Sequence, residues 1–251
     1  MGFVALLYGA AVYVFFLATF VYTIGFIANV PMLPKTIDNG VAGPLAEALV
    51  VNLLLLAVFA VQHSVMARRG FKRWWTRIVP EAVERSTYVL AATLALLLLL
   101  VQWRPIAEPV IWHVDSAVGQ AALYAVSALG WAVLLISTFL INHFELFGLR
   151  QVFARLLRRE IPAQEFRTPG LYRHVRHPIY LGFVLGIWGT PHMSAGHLLF
   201  AIGTAGYILI GIWFEERDLI AQFGDRYRIY REQVGMLFPR GRKARQGPAG
   251  Q

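Results

Sequence analysis

Four apolar stretches of membrane-spanning length follow one another in this chain, at about Phe3 to Asn29, Leu45 to Met66, Thr87 to Trp103 and Gly119 to Asn142. A helix rises 1.5 Å per residue, so roughly 20 such residues cross the ~30 Å hydrocarbon core of a bilayer. Lipid offers no hydrogen-bond partner to a bare peptide group, and the stretches must therefore be helical. Composition agrees, with 57% hydrophobic residues and a mean hydropathy of +0.56, far from a soluble average. An all-α, polytopic integral membrane protein is expected. The first stretch is too long for a signal-peptide core and lacks both a basic leader and an Ala-x-Ala exit, so it reads as a span.

The net charge of +9 would suit nucleic acid in a soluble chain. Here the basic residues gather between spans, where they set orientation instead, and no nucleic-acid partner is expected. Arg68, Arg69, Lys72, Arg73 and Arg77 follow the second span, and Arg150, Arg155, Arg158, Arg159, Arg167, Arg173 and Arg176 follow the fourth. The loops Lys35 to Pro44 and Arg104 to Val118 are nearly neutral. The positive-inside rule then puts the N-terminus and both basic loops in the cytoplasm. The absence of cysteine excludes disulfides, thiolate nucleophiles and cysteine-ligated metals.

The last apolar region, Ile179 to Phe214, spans 36 residues and leads into another basic segment containing Arg226, Arg228, Arg231 and Arg240. A single crossing would leave that segment on the wrong side. Gly189-Thr190-Pro191-His192 interrupts the region with a helix breaker. A hairpin turning near Pro191 to Gly196 resolves both points, with a first leg of about a dozen residues, roughly 18 Å long. Gly182, Gly186 and Gly189, then Gly203, Gly206 and Gly211, suit close helix approach. The expected architecture is four transmembrane helices and a C-terminal hairpin, five to six membrane helices in all. Residues 1–239 form one domain, a four-span half (1–150) and a hairpin with a C-terminal helix (170–239), before a flexible basic tail (240–251).

Polar groups collect at one end of these spans. Gln62-His63-Ser64 ends the second, Glu84-Arg85-Ser86-Thr87-Tyr88 opens the third, Asn142-His143-Phe144-Glu145 closes the fourth, and Arg176-His177 and Glu215-Glu216 bracket the hairpin. Ionisable groups beside lipid mark functional sites. At the opposite end, Trp103 and Trp112 read as interfacial belt residues, and His113, His192 and His197 as surface residues.

The spaced pattern Arg176-His177-Pro178-x-Tyr180-x-Gly182, Glu215-Glu216-x-x-Leu219 and Phe223-Gly224-x-x-Tyr227-x-x-Tyr230 resembles the isoprenylcysteine carboxyl methyltransferase superfamily of membrane enzymes. With Gln62-His63-Ser64-x-Met66-Ala67-Arg68, Glu84 to Tyr88, Gln102-Trp103 and Asn142 to Gln151, nearly the whole chain resembles the bacterial methanethiol S-methyltransferases. The resemblance implies S-adenosylmethionine as donor, methanethiol as the small thiol acceptor, dimethyl sulfide as product and a bacterial inner membrane as setting. It also implies cofactor contacts at His177, Tyr180 and Glu216, with Arg176 and Glu215 beside them.

The chemistry suits these residue types. Carboxylates at Glu215 or Glu216 accept from ribose hydroxyls or an ammonium, and Arg176 or a helix start favours a carboxylate. Pro178 favours such a start, and Gly182 completes the motif. Tyr172, Tyr180 and Trp213 offer rings for adenine or the sulfonium. In-line displacement from a sulfonium requires alignment and a deprotonated thiol, and needs no metal. His63 and His143 are the candidate bases and Arg85 a candidate electrostatic partner, brought together by shared membrane depth. The acceptor alternatives are another thiol, an isoprenylcysteine carboxylate or a lipid. A sterol-reductase-like enzyme, a transporter and a solute sensor are the further alternatives.

Overall fold

The computed structural model describes residues 2–162 and 165–240. Beyond Arg240, the basic tail lies outside the described residues. Ten α-helices run in order among the described residues: α1 (Gly2–Ile27), α2 (Leu45–Ala67), α3 (Arg69–Trp75), α4 (Glu81–Gln102), α5 (Ala117–Ile141), α6 (His143–Leu146), α7 (Leu149–Leu157), α8 (Pro178–Trp188), α9 (Ala195–Phe223) and α10 (Asp225–Gln233). Five of them, α1, α2, α4, α5 and α9, are long and apolar enough to cross a membrane, and α8 is a shorter apolar helix. The protein is a polytopic all-α membrane protein. The third span starts earlier than its apolar run suggests: Pro80 precedes the first turn of α4, and Glu81 and Glu84 lie in that turn, where carboxylates favour the helix dipole.

The helices pack in a ring. α5 lies along α8, α8 on α9, α9 on α2, α2 on α4 and α4 on α1. Phe20 of α1 closes the circuit through ring contacts with Trp131 of α5 and Phe183 of α8. The α5–α8 contact is backbone to backbone. A Cβ at Gly130 would lie 2.5 Å from the Gly186 nitrogen, and one at Gly182 would lie 2.7 Å from the Gly130 carbonyl oxygen. Only glycine permits that approach.

The hairpin is asymmetric. α9, with 29 residues, is about 43 Å long, whereas the 11 residues of α8 give about 16 Å. The descent from α8 to the start of α9 is finished by extended chain, in which β2 (His192–Ser194) pairs antiparallel with β1 (Val110–His113). This small sheet, absent from the sequence-based expectation, satisfies backbone that lipid cannot. The Val114 amide donates to the Pro191 carbonyl at 2.9 Å and Trp112 Nε1 to the Thr190 carbonyl at 3.0 Å. Ser127 Oγ donates to the Gly186 carbonyl at 2.8 Å. Ser194 then caps α9, its hydroxyl accepting from the His197 amide at 3.0 Å.

Two expectations for this end are corrected. His197 is a buried residue, with Nε2 placed 2.9 Å from the Ile187 carbonyl at the end of α8. A carbonyl freed where a helix stops in an apolar setting needs such a partner. Trp103 is fully buried in the core with Phe26, Leu100 and Phe200, and its Nε1 donates to the Ile37 carbonyl at 3.2 Å. The Lys35–Pro44 loop folds back over it and removes it from any interface. His113 is exposed, as expected, and pairs with His192 through their Nδ1 atoms at 3.2 Å.

Candidate active site

The other end of the ring is built around the entry to α8. Val175 bridges Gly235 in parallel, the Arg176 amide donates to the Gly235 carbonyl at 2.8 Å and the His177 amide to the Met236 carbonyl at 3.1 Å. These bonds lash the motif to the chain leaving α10 before any side chain is considered. Pro178 is then the first residue of α8, where its missing amide leaves nothing unsatisfied.

Arg176 and His177 converge on one carboxylate oxygen. Arg176 Nε donates to Glu216 Oε1 at 2.8 Å, and His177 Nε2 lies 3.1 Å from the same oxygen. Arg176 Nη1 donates to the Arg231 and Val234 carbonyls at 2.9 and 2.5 Å, neutralising the carbonyl end of α10. Arg231 Nη1 approaches Glu216 Oε2 at 3.7 Å. Glu216 is thus consumed by protein partners. Glu215 differs: its side chain is 44% exposed, and only Oε2 is engaged, by the Tyr180 hydroxyl at 3.0 Å and by His177 Nδ1 at 3.8 Å. Among the described residues Glu215 Oε1 has no hydrogen bond.

From Glu215 a line of phenols leads inward. Tyr207, Gly211 and Glu215 share one face of α9 at intervals of four residues. A Cβ on Gly211 would lie 3.7 Å from the Tyr180 hydroxyl, and the phenols of Tyr207 and Tyr88 lie within electrostatic reach of Tyr180. The Ser64 hydroxyl donates to Tyr207 Oη at 3.3 Å. The Tyr88 hydroxyl faces the nitrogen-bearing edge of His63, 3.0 Å from Nε2 and 3.2 Å from Nδ1. The Arg85 guanidinium stands over the Tyr88 ring at 4.9 Å while its Nε donates to the Leu146 carbonyl at 2.7 Å. Glu215 and Tyr180 thus form one bonded pair where α8 meets α9, and His63, Tyr88 and Arg85 a second polar group between α2 and α4, within electrostatic reach of the first.

His143 starts α6, whose Leu146 carbonyl Arg85 bonds, but its own ring has other partners. It is buried, with Nε2 2.7 Å from the Tyr13 hydroxyl and Nδ1 2.8 Å from the Thr138 hydroxyl, and its ring stacks on Phe139. Burial holds its imidazole below the usual histidine range. No hydrogen bond or ring contact joins it to His63 among the described residues. Gly182 faces α5 rather than the polar region. Trp213 is exposed on the outside of α9 with the Arg217 guanidinium 4.7 Å over its ring, the geometry of an interfacial residue.

Tyr172 is a brace. Its hydroxyl donates to the Ser137 carbonyl at 3.4 Å, and its own carbonyl accepts from the Tyr230 hydroxyl at 2.6 Å. Burial pushes Tyr172 and Tyr227 upward and Tyr230 up to about 12, so all three phenols stay protonated at neutral pH. Tyr207 is the residue the sequence reading missed. The available signal was its eight-residue spacing from Glu215, two helical repeats of four.

The family model described as NnrU protein matches residues 51–235, from α2 to the chain just beyond α10. The methanethiol S-methyltransferase of Mycobacterium tuberculosis is 58% identical over 237 residues, covering 94% of this chain and 96% of that protein. The chain belongs to the methanethiol S-methyltransferase family, within NnrU. Methanethiol S-methyltransferase 1 of Bradyrhizobium diazoefficiens is 55% identical over 94% of this chain and 82% of its own length. The protein of that name from Crocosphaera subtropica is 51% identical over 93% and 91%. No solved structure matches the chain. In this member of the methanethiol S-methyltransferase family, the NnrU match takes in His63, Arg85, Tyr88, Arg176, Tyr180, Tyr207, Glu215 and Glu216.

Proposed function

We propose that the protein transfers the S-methyl group of S-adenosylmethionine to methanethiol, releasing dimethyl sulfide, with its active site open to the cytoplasm. The observation that carries this reading is the juxtaposition of half-exposed Glu215, held by Tyr180, with a second polar group in which Tyr88 bonds His63, a candidate base, within electrostatic reach of Tyr180. The relatives named methanethiol S-methyltransferase support the acceptor.

The side chains fit such a donor. Glu215 Oε1 is a charged acceptor suited to hydroxyl or ammonium protons, and Tyr180 fixes that carboxylate through its other oxygen. Arg176 and His177 hold Glu216, setting the height of α9 so that Glu215 meets Tyr180. When bound, S-adenosylmethionine supplies a methyl group activated by its sulfonium charge. His63 takes the acceptor's thiol proton at a ring nitrogen, because the thiolate and not the thiol is the effective nucleophile. Arg85, within electrostatic reach of His63, favours the anion formed there. The S–H bond breaks to His63, the new C–S bond forms, and the old sulfonium C–S bond leaves its electron pair on the departing sulfur.

Calorimetric titration of the purified protein with S-adenosylmethionine tests the donor. Wild type should bind and Glu215→Gln should bind at least about tenfold more weakly, a loss of one charge-assisted hydrogen bond. Absence of binding at millimolar ligand contradicts the reading.

A further inference from the structure

Where α7 ends against the start of α1, the surface opens into a cleft of about 620 Å³ bordered by Phe3 of α1 and by Arg155, Arg158, Arg159 and Glu160. Its walls meet at backbone distance: a Cβ at Gly2 would lie 3.1 Å from Leu156 Cα, and one at Gly9 would lie 2.8 Å from Val152 Cγ2. Arg158, in the left-handed conformation, ends α7, and the Arg159 amide donates back to the Ala154 carbonyl at 2.9 Å. The three arginines are exposed, and among the described residues no carboxylate, carbonyl or hydroxyl bonds their guanidiniums. Arg68, Arg150 and Arg176, by contrast, are paired with Asp218, Glu145 and Glu216. With Glu160 as its one carboxylate, the cleft is left cationic.

Depth and shape select the occupant. The 26 residues of α1 are about 39 Å long, more than the ~30 Å hydrocarbon core, so its first turn stands among lipid headgroups. Phe3 is 62% exposed, and Phe153 and Leu157, four residues apart on one face of α7, are exposed as well. A soluble anion would use the guanidiniums alone. A phospholipid uses both surfaces, its phosphate on the arginine forks and its acyl chains along the three apolar side chains. The choline of a zwitterionic lipid would meet the same positive charges, which favours an anionic one.

We propose that the α1–α7 cleft binds the headgroup of an anionic membrane phospholipid. The bound lipid braces α7 against α1. Because α7 follows α6, whose Leu146 carbonyl accepts from Arg85 Nε, it also steadies the corner on which Arg85 rests. The site is independent of which methyl donor the protein uses.

Native mass spectrometry of the detergent-purified full chain, read beside its melting temperature, tests the site with phosphatidylglycerol, phosphatidylcholine and inorganic phosphate. Wild type should hold phosphatidylglycerol at least about tenfold more tightly than phosphatidylcholine and melt higher with it. Arg155→Gln combined with Arg159→Gln should weaken phosphatidylglycerol about twentyfold, roughly fivefold for each charge removed, and abolish the thermal shift. Arg69→Gln combined with Arg73→Gln, on α3 and outside the cleft, should leave both readouts unchanged within about twofold. Equal binding of the two lipids by wild type overturns the proposal, as does phosphatidylglycerol binding that survives the cleft variant or falls equally in the α3 variant. A thermal shift of the same size from millimolar inorganic phosphate overturns the assignment to a lipid. Should the double cleft variant fail to fold, Arg159→Gln alone should weaken phosphatidylglycerol about fivefold, and wild-type affinity there overturns the proposal as well.

Discussion

Arg176 and Glu216 form an ion pair that closes the mouth of the α8–α9 hairpin, Nε to Oε1 at 2.8 Å with 7% and 12% of the two side chains exposed. Glu216 lies 21 residues beyond the first residue of α9, about 30 Å along the helix, so the pair sits one hydrocarbon thickness from the far end. The guanidinium also holds two carbonyls at the end of α10. One side chain thus fixes three segments.

Glu216→Ala strands a buried guanidinium and should destabilise the protein by about 3–5 kcal/mol, a fall on the order of 10 °C in melting temperature. Arg176→Met combined with Glu216→Leu should lose clearly less than the sum of the two single changes. Additive losses would show that the pair is not coupled.

Glu215→Gln and Tyr180→Phe probe the other half of the clamp. Glu215 is half-exposed and bonded only through Oε2, so both variants should melt within roughly 1 kcal/mol of wild type while KM for the donor rises about tenfold. Donor kinetics across a concentration series decide the matter. A stability loss without a change in KM would make the Tyr180–Glu215 bond purely structural.

His63 and His143 should part company. His63→Ala should lower turnover about 10²- to 10⁴-fold, with partial recovery at alkaline pH as the thiol ionises unaided. His143→Ala removes a buried brace between Tyr13 and Thr138 and should lower stability by about 1–3 kcal/mol while leaving turnover per folded molecule within a few fold. Equal kinetic damage from both would restore a two-histidine site.

Stability should depend on His143 in acid. Its folded value is depressed by burial, so the unfolded chain takes up a proton, near pH 6.5, before the folded one does. The contribution is fully present above about pH 6.5 and is lost as pH falls below it, until the folded value is passed. Melting measured from pH 7.5 to 5 should slope downward in wild type and less steeply in His143→Asn. Identical slopes would contradict a neutral, buried His143.

Much of the fold was legible because lipid restricts the choices. Apolar length located α1, α2, α5 and the hairpin, and the Arg176 to Gly182 and Glu215-Glu216 motifs do meet across α8 and α9. The β1–β2 pairing was illegible because His192–Ser194 carries no strand alternation and pairs only to satisfy backbone left by the short α8. Trp103 and His197 were misplaced for one reason: an aromatic or polar residue at a helix end looks interfacial until a loop such as Lys35–Pro44 is seen to cover it. Gly182 illustrates a related ambiguity. Its motif position suggested a ligand, whereas its surroundings are Gly130 and Leu134 of α5, so Gly182→Ala should reduce stability by about 1–3 kcal/mol through overpacking.

The proposed methyl transfer from S-adenosylmethionine to methanethiol is tested most directly by following the methyl group itself. Membranes containing the protein, given methanethiol and S-adenosylmethionine carrying a deuterated methyl group, are assayed by mass spectrometry of the headspace. Dimethyl sulfide bearing one deuterated methyl is expected from wild type and should be strongly reduced in His63→Ala. Release of no labelled dimethyl sulfide by folded wild type, alongside control membranes, would contradict it.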